Sequence, residues 1–170
     1  MLTLLLALFP CAAATDEDTG WAHEYVDESP AWQEQGVELP PWPEPGRLLE
    51  VAVNRANFPF RVYIDPDSVS IGDDGVLRYT VVVVSTTGSR NISYEGMRCS
   101  KRSYRRYAYG AGGRWSPLEG KPWRQLLESG MDNYRYVLYR DYLCDPTDPY
   151  QKVEDVLQRV RYFRGPSVGE

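Results

Sequence analysis

Residues 76 to 99 read VLRYTVVVVSTTGSRNISYEGMRC. The first ten, Val76 to Ser85, are dominated by β-branched side chains, which pack well on a pleated surface and lose rotamer freedom in a helix. Gly88-Ser89 interrupts the run, and Arg90 to Cys99 resumes it. Two β-type runs joined by a short Gly-containing turn predict an antiparallel hairpin. Upstream, the turn signal Asp73-Asp74-Gly75 separates this hairpin from Arg61 to Asp65 (RVYID), and Leu48 to Val53 (LLEVAV) reads as a further strand. Downstream, Ser103 to Tyr109 (SYRRYAY) ends at Gly110-Ala111-Gly112-Gly113. Short strands with tight turns predict an antiparallel meander of about five strands rather than βαβ units.

Helical signals lie towards the C-terminus and make the fold class α+β. Pro122 to Ser129 predicts a short helix, with Pro at its start and Gly130 beyond its end. A longer C-terminal helix is predicted from Asp148 as N-cap and Pro149 as first residue. Val153, Val156, Leu157, Val160 and Phe163 then form an apolar stripe, and Gly165 ends it. Tyr134 to Cys144 (YRYVLYRDYLC) has no clean period and stays open as helix or strand.

The segment before the sheet differs in composition. Residues 15–50 carry ten acids and one base, Arg47, whereas residues 51–170 carry 14 acids and 18 bases. The formal net charge of −5 therefore describes neither part. Residues 15–46 hold five prolines together with Trp21, Trp32 and Trp42. Dense proline forbids helix and central strand, so an extended path is expected. Three tryptophans argue that this acidic arm packs on the basic domain, 47–165, rather than running free. Ahead of it, residues 2–14 (LTLLLALFPCAAA) are uncharged and nearly all apolar, and Ala12-Ala13-Ala14 is a small-residue cleavage pattern. Thirteen residues fall short of the roughly 20 that span a bilayer. They predict a secretory signal peptide over 1–14, and no later segment is apolar enough to span. A lipid anchor at Cys11 is disfavoured, because Pro10 stands where that signal needs a small residue. Cleavage leaves Cys99 and Cys144, an even pair for an oxidising compartment, and a disulfide between them is expected.

Composition narrows the chemistry. The single histidine, His23, excludes multi-histidine metal sites and lies in the arm, with no nucleophile fixed beside it. Asp65-Pro66-Asp67-Ser68 reads as a turn and Asp73-Asp74-Gly75 as a hairpin tip, since the spacing fails that of a calcium loop. No metal site and no cofactor are expected. The candidate binding surface is the basic-aromatic stretch Arg98, Lys101, Arg102, Tyr104, Arg105 and Arg106, which interleaves charge with stacking rings. An acidic exported protein makes nucleic acid an improbable target, so an envelope protein, lipid or glycan is the expected partner. The plain alternative is a solvated strand face with tyrosines as cross-strand partners.

The run Val62-Tyr63-Ile64-Asp65, then Ser68-Val69, Asp74-Gly75-Val76 and Arg78-Tyr79, continues into Gly88, Asn91, Tyr94-Glu95-Gly96-Met97-Arg98-Cys99 and Tyr107-Ala108-Tyr109-Gly110. With Trp115, Trp123 and Cys144, this pattern resembles the cryptic neisserial protein-like (CNP-like) family of Gram-negative bacteria, over roughly residues 32 to 160. The resemblance implies an exported envelope protein and carries over no reaction, cofactor or catalytic residue. It singles out Glu95, Arg98 and Arg78 as a shared polar group. Strand alternation places Glu95 on the inner face, where a buried carboxylate needs a cation, and Arg78 on the neighbouring strand is the candidate. The sequence thus predicts a periplasmic or envelope-associated, non-catalytic binding or accessory module. The alternative is a carboxylate-dependent enzyme on an envelope glycan or lipid, using Glu95, Asp65 and Asp74.

Overall fold

A computed structural model describes residues 31–55, 58–130, 133–148 and 150–163. The apolar leader 2–14, the arm up to residue 30 with Trp21 and His23, Pro149 and Gly165 lie outside them. The deciding hairpin forms from β3 (Leu77–Val84) and β4 (Arg90–Arg98), turned by Gly88 at φ 84°. Around it the strands β1 (Leu49–Val51), β2 (Arg61–Ile71), β5 (Ser103–Ala111) and β6 (Arg114–Pro117) complete an antiparallel meander in sequence order. A last short strand, β7 (Arg124–Gln125), pairs with the far end of β5.

The sheet therefore has seven strands, against the five expected. The two extra ones are four and two residues long and carry no alternation that a sequence pattern reveals. Gly112 and Gly113, at φ 56° and 78°, make the tight turn that returns β6 along β5. The segment Pro122 to Ser129 is not helical, which corrects the expected short helix. Arg124 and Gln125 pair with β5, and the Leu126 amide donates to the Arg102 carbonyl. Eight residues are too few for a helix to hold itself up, and the unpaired edge of β5 offers the backbone better partners.

Asp65 to Ser68 is likewise not a turn between strands but an irregularity inside β2, between Asp65 and Ser70. The Ser68 hydroxyl accepts the Thr80 amide at 2.8 Å and donates to the Asp65 carbonyl at 2.8 Å, replacing the ladder bonds lost there. Asp73-Asp74-Gly75 does form the hairpin tip, with Gly75 at φ 70°.

The open segment resolves as a helix. It runs as α1 (Tyr134–Val137) and continues as a π-helical stretch, Leu138–Leu143. The C-terminal helix α2 spans Val153–Tyr162 and begins later than expected. Lys152 is its N-cap, with its amide held by the Asp155 carboxylate at 3.0 Å. Asp148 instead accepts the Tyr150 amide at 2.9 Å and forms a local turn. Val156 and Val160 of the apolar stripe are buried, and Phe163 stacks edge-on against Tyr142.

Paired residues of an antiparallel ladder share a face, so register sorts the side chains into two layers. Ile64, Leu77, Tyr79, Val81, Met97 and Tyr104 face one way and form the main core with Leu138, Tyr142, Leu143, Val156 and Val160 of the helices. The opposite face carries Tyr94, Tyr107 and Ala108 and is covered by residues of the arm. Val37 packs there, Trp42 lies over Gly110 and tilts against Trp115, and the Trp115 indole donates to the Pro40 carbonyl at 2.9 Å. The described part of the arm is thus a third layer.

Candidate functional site

Glu95 is the most unusual position in the domain. It sits in mid-strand on the core face, opposite Tyr79 on one side and Arg106 on the other, and is fully buried. Arg135, at the start of α1 and 2% exposed, meets it with both edges of its guanidinium. Nε donates to Oε2 at 2.7 Å and Nη2 to Oε1 at 2.6 Å. Ser93 Oγ donates to Oε1 at 2.7 Å, while Arg106 Nε and the Tyr79 hydroxyl approach at 3.4 Å. Burial alone pushes the Glu95 carboxyl up, but the charge and hydrogen bonds of Arg135, with Ser93 and Arg106, more than offset it. The net effect holds it below the usual carboxylate range, as an anion. Arg135 is itself wedged between the Tyr104 and Tyr134 rings, 4.6 and 4.5 Å from their centroids.

The cation at Glu95 is therefore Arg135 and not Arg78. Arg78 stands opposite Gly96, one residue along, so its side chain is on the other face. There it binds the Asp74 carboxylate at the hairpin tip, at 2.6 and 3.1 Å, and lies 5.8 Å above the Tyr107 ring. Arg135 escaped the sequence reading because its segment lacks a period. The available signal was a lone arginine between two tyrosines, together with a mid-strand glutamate that needed a cation.

The basic-aromatic stretch does not form one surface. Strand alternation and a bulge opposite Tyr94 and Glu95 divide it. Tyr104 and Arg106 face the core, whereas Arg105 and Tyr107 face the arm, where both bind the Glu34 carboxylate. Arg98 stacks 3.5 Å from the Trp32 ring, and that indole donates to the Asp74 carbonyl at 2.8 Å. Lys101 closes a 3-10 turn begun at Cys99, and Arg102 follows in the left-handed region at φ 49°. The Arg102 guanidinium reaches Glu128 at 3.2 Å. Of the six candidates, Arg98 and Arg105 hold the arm, Tyr104 and Arg106 serve the buried cluster, and Lys101 and Arg102 lie at the turn.

The three candidate carboxylates are equally dispersed. Glu95 is in the core, Asp74 is at the hairpin tip under Arg78, and Asp65 is on the opposite face in β2, accepting the Asp67 amide at 3.2 Å. Among the described residues, no three His, Cys, Asp or Glu side chains gather to hold a metal ion. No described helix is long and apolar enough to cross a membrane.

The Cys99–Cys144 disulfide ties the end of β4 to the end of the π-helical stretch. A groove of about 480 Å³ lies beside it, where Arg98 and Arg102 share the wall with Asp74, Asp145 and Asp148. A second cavity, of about 320 Å³, opens beside the buried cluster between the Ser85–Arg90 turn and the start of α1.

No curated protein and no solved structure matched the chain. The model of the CNP1-like family matches residues 27–161. That range takes in the sheet, α1, all but the last residue of α2, the disulfide and the described arm, and on this match the chain belongs to the CNP1-like family.

Proposed function

We propose that the protein is exported and acts in the periplasm or at the envelope as a non-catalytic binding or accessory module. The observation that carries this reading is the closed state of the Glu95 carboxylate. A general acid or base needs an oxygen within reach of substrate and a proton to move. Both oxygens of Glu95 are taken by Arg135 and Ser93, in a fully buried place. Asp74 is held in the same manner by Arg78, the Gln35 amide and the Val76 amide. Paired glycosidase carboxylates stand about 5 to 9 Å apart across a cleft, and these acids sit in separate places in the fold.

Export is supported by two independent features: the apolar leader with its Ala-rich end, and a disulfide of the sort that persists in oxidising compartments. The test is capture from intact envelopes with the disulfide-bonded protein as bait. A specific protein, lipid or glycan retained at physiological salt is expected. Release of hydrolysis products from the envelope by the bait would replace this reading with the carboxylate-dependent enzyme.

A further inference from the structure

Residues 32–40 lie on the sheet as a bound peptide would, held by side chains. They form neither helix nor strand, and among the described residues their backbone bonds to no other backbone group. Alternate side chains of an extended chain point the same way, so Trp32 and Glu34 both reach the sheet. The Trp32 ring lies 3.5 Å from the Arg98 guanidinium, and Glu34 accepts from Arg105 and, at 2.5 Å, from the Tyr107 hydroxyl. Gly96 is the floor of this seat, since a Cβ there would strike Tyr107, and Arg78 and Arg105 each lie 5.8 Å from that ring. Without residues 32–40 the seat holds three arginines, Arg78, Arg98 and Arg105, against one aspartate, Asp74, which Arg78 binds. The segment also fits it incompletely. Arg105 Nε, Arg78 Nε and Trp123 Nε1 are buried with no acceptor among the described residues, an unfavourable state for a donor. A space of about 420 Å³ separates Glu34, Val37 and Leu39 from Arg105, Tyr107 and Leu118, and Trp32 and Leu39 are 40% and 38% exposed. Trp42, by contrast, is buried over Gly110 and fixes the far end.

We infer that this seat docks an extended acidic segment of a partner protein, and that residues 32–40 cover it as an internal stand-in. The partner's segment carries an aromatic ring and a carboxylate two residues apart, the spacing that Trp32 and Glu34 show. Arg98 stacks on the ring, and Arg105 and Tyr107 take the carboxylate. Glu34 engages Arg105 through Nη1, whereas a carboxylate set side-on bonds Nε as well, which is the stronger geometry. The partner thus competes by better fit against a tethered segment whose effective concentration is of millimolar order. This inference deepens the binding-module reading and rests on it for the existence of a partner. The assay below does not involve the envelope, so its failure would leave export and capture from envelopes standing.

The probe is a fluorescent synthetic peptide with the sequence of residues 32–40, followed by anisotropy against the full disulfide-bonded chain. Trp32→Ala combined with Glu34→Gln frees the seat and is expected to bind the peptide about tenfold or more tighter than the parent does. Adding Arg105→Ala to that chain, or Glu34→Gln to the peptide, is expected to weaken binding about tenfold, equivalent to about 1.4 kcal/mol. Arg161→Ala removes an equal charge from α2, on the opposite face, and is expected to leave Kd unchanged. Hydrogen exchange on the unmutated chain needs no variant to fold. The Gln35 amide and the Trp32 indole N–H, both bonded to Asp74, are expected to exchange together and faster than the β3 amides of Tyr79 and Val81. Exchange only at the β3 rate, no gain in peptide binding by the freed seat, or equal weakening by Arg161→Ala overturns the site. Concentration-dependent dimerisation of the parent, lost in Glu34→Gln, would make the occupant a second copy and overturn the partner assignment.

Discussion

Replacing Glu95 by Gln changes one oxygen to an NH2 group and removes one charge. In the parent, Oε1 and Oε2 accept from Arg135 at 2.6 and 2.7 Å, and Oε1 also accepts from Ser93 at 2.7 Å. The carboxamide turns a donor towards at least one of these donors. It also leaves Arg135, 2% exposed, without its compensating carboxylate. Removing one partner of a buried ion pair costs about 3–5 kcal/mol, out of the 5–15 kcal/mol that holds a typical domain together. For a domain of this size that is a fall in Tm of about 10–20 °C. Glu95→Leu combined with Arg135→Met removes both charges together and is expected to recover at least half of the loss, because apolar replacement of a buried pair is often neutral. The pH dependence has a defined sign. The folded-state pKa of Glu95 is depressed relative to the unfolded value of about 4.3, so the pair's contribution is present above that pH and lost as pH falls through the folded pKa. The glutamine variant lacks this contribution, and its Tm converges on the parent's in acid. Thermal melts by circular dichroism at pH 7 and at lower pH read both effects. A glutamine variant melting within about 2 °C of the parent at neutral pH would refute the reasoning.

Other perturbations test separate layers. Reducing Cys99–Cys144 opens a 45-residue span, for which the chain-entropy model gives roughly 4 kcal/mol, so reductant should lower Tm by more than 10 °C in a melt. A Cβ at Gly96 would meet the Tyr107 hydroxyl at 2.2 Å and its ring at 2.8 Å, so Gly96→Ala should cost about 1–3 kcal/mol in urea denaturation, and Tyr107→Ala in the same chain should relieve the clash. Burial raises the Asp65 carboxyl, so its charge opposes folding at neutral pH. Asp65→Asn should raise Tm at pH 7, and the gain should vanish in acid where both forms are neutral.

The central meander was legible because β-branched runs and Gly-containing turns are local signals. Val81 to Val84 and Gly88 needed no tertiary context to be read as a strand and a turn. The edges were not legible. Arg124 and Gln125 are a strand only because β5 presents an open edge, which no window around Pro122 contains. The helix at Tyr134 to Leu143 hid behind four tyrosines, whose rings serve the core and the surface alike. At the buried cluster, alternation correctly turned Glu95 inward, and the same alternation, applied to Arg78, assigns it to the opposite face. The cation came from 40 residues away, a pairing that only the packing of α1 on the sheet creates. The basic-aromatic stretch looked continuous in sequence, but a strand divides its residues between two faces.

The proposed role rests first on export of the chain and on closure of the Cys99–Cys144 bond. Intact-mass analysis of the protein taken from periplasmic and envelope fractions of its own cells tests this most directly. The account predicts a chain beginning at Thr15 and lighter by two hydrogens than the reduced form. A full-length chain with free thiols, confined to the cytosolic fraction, would contradict it.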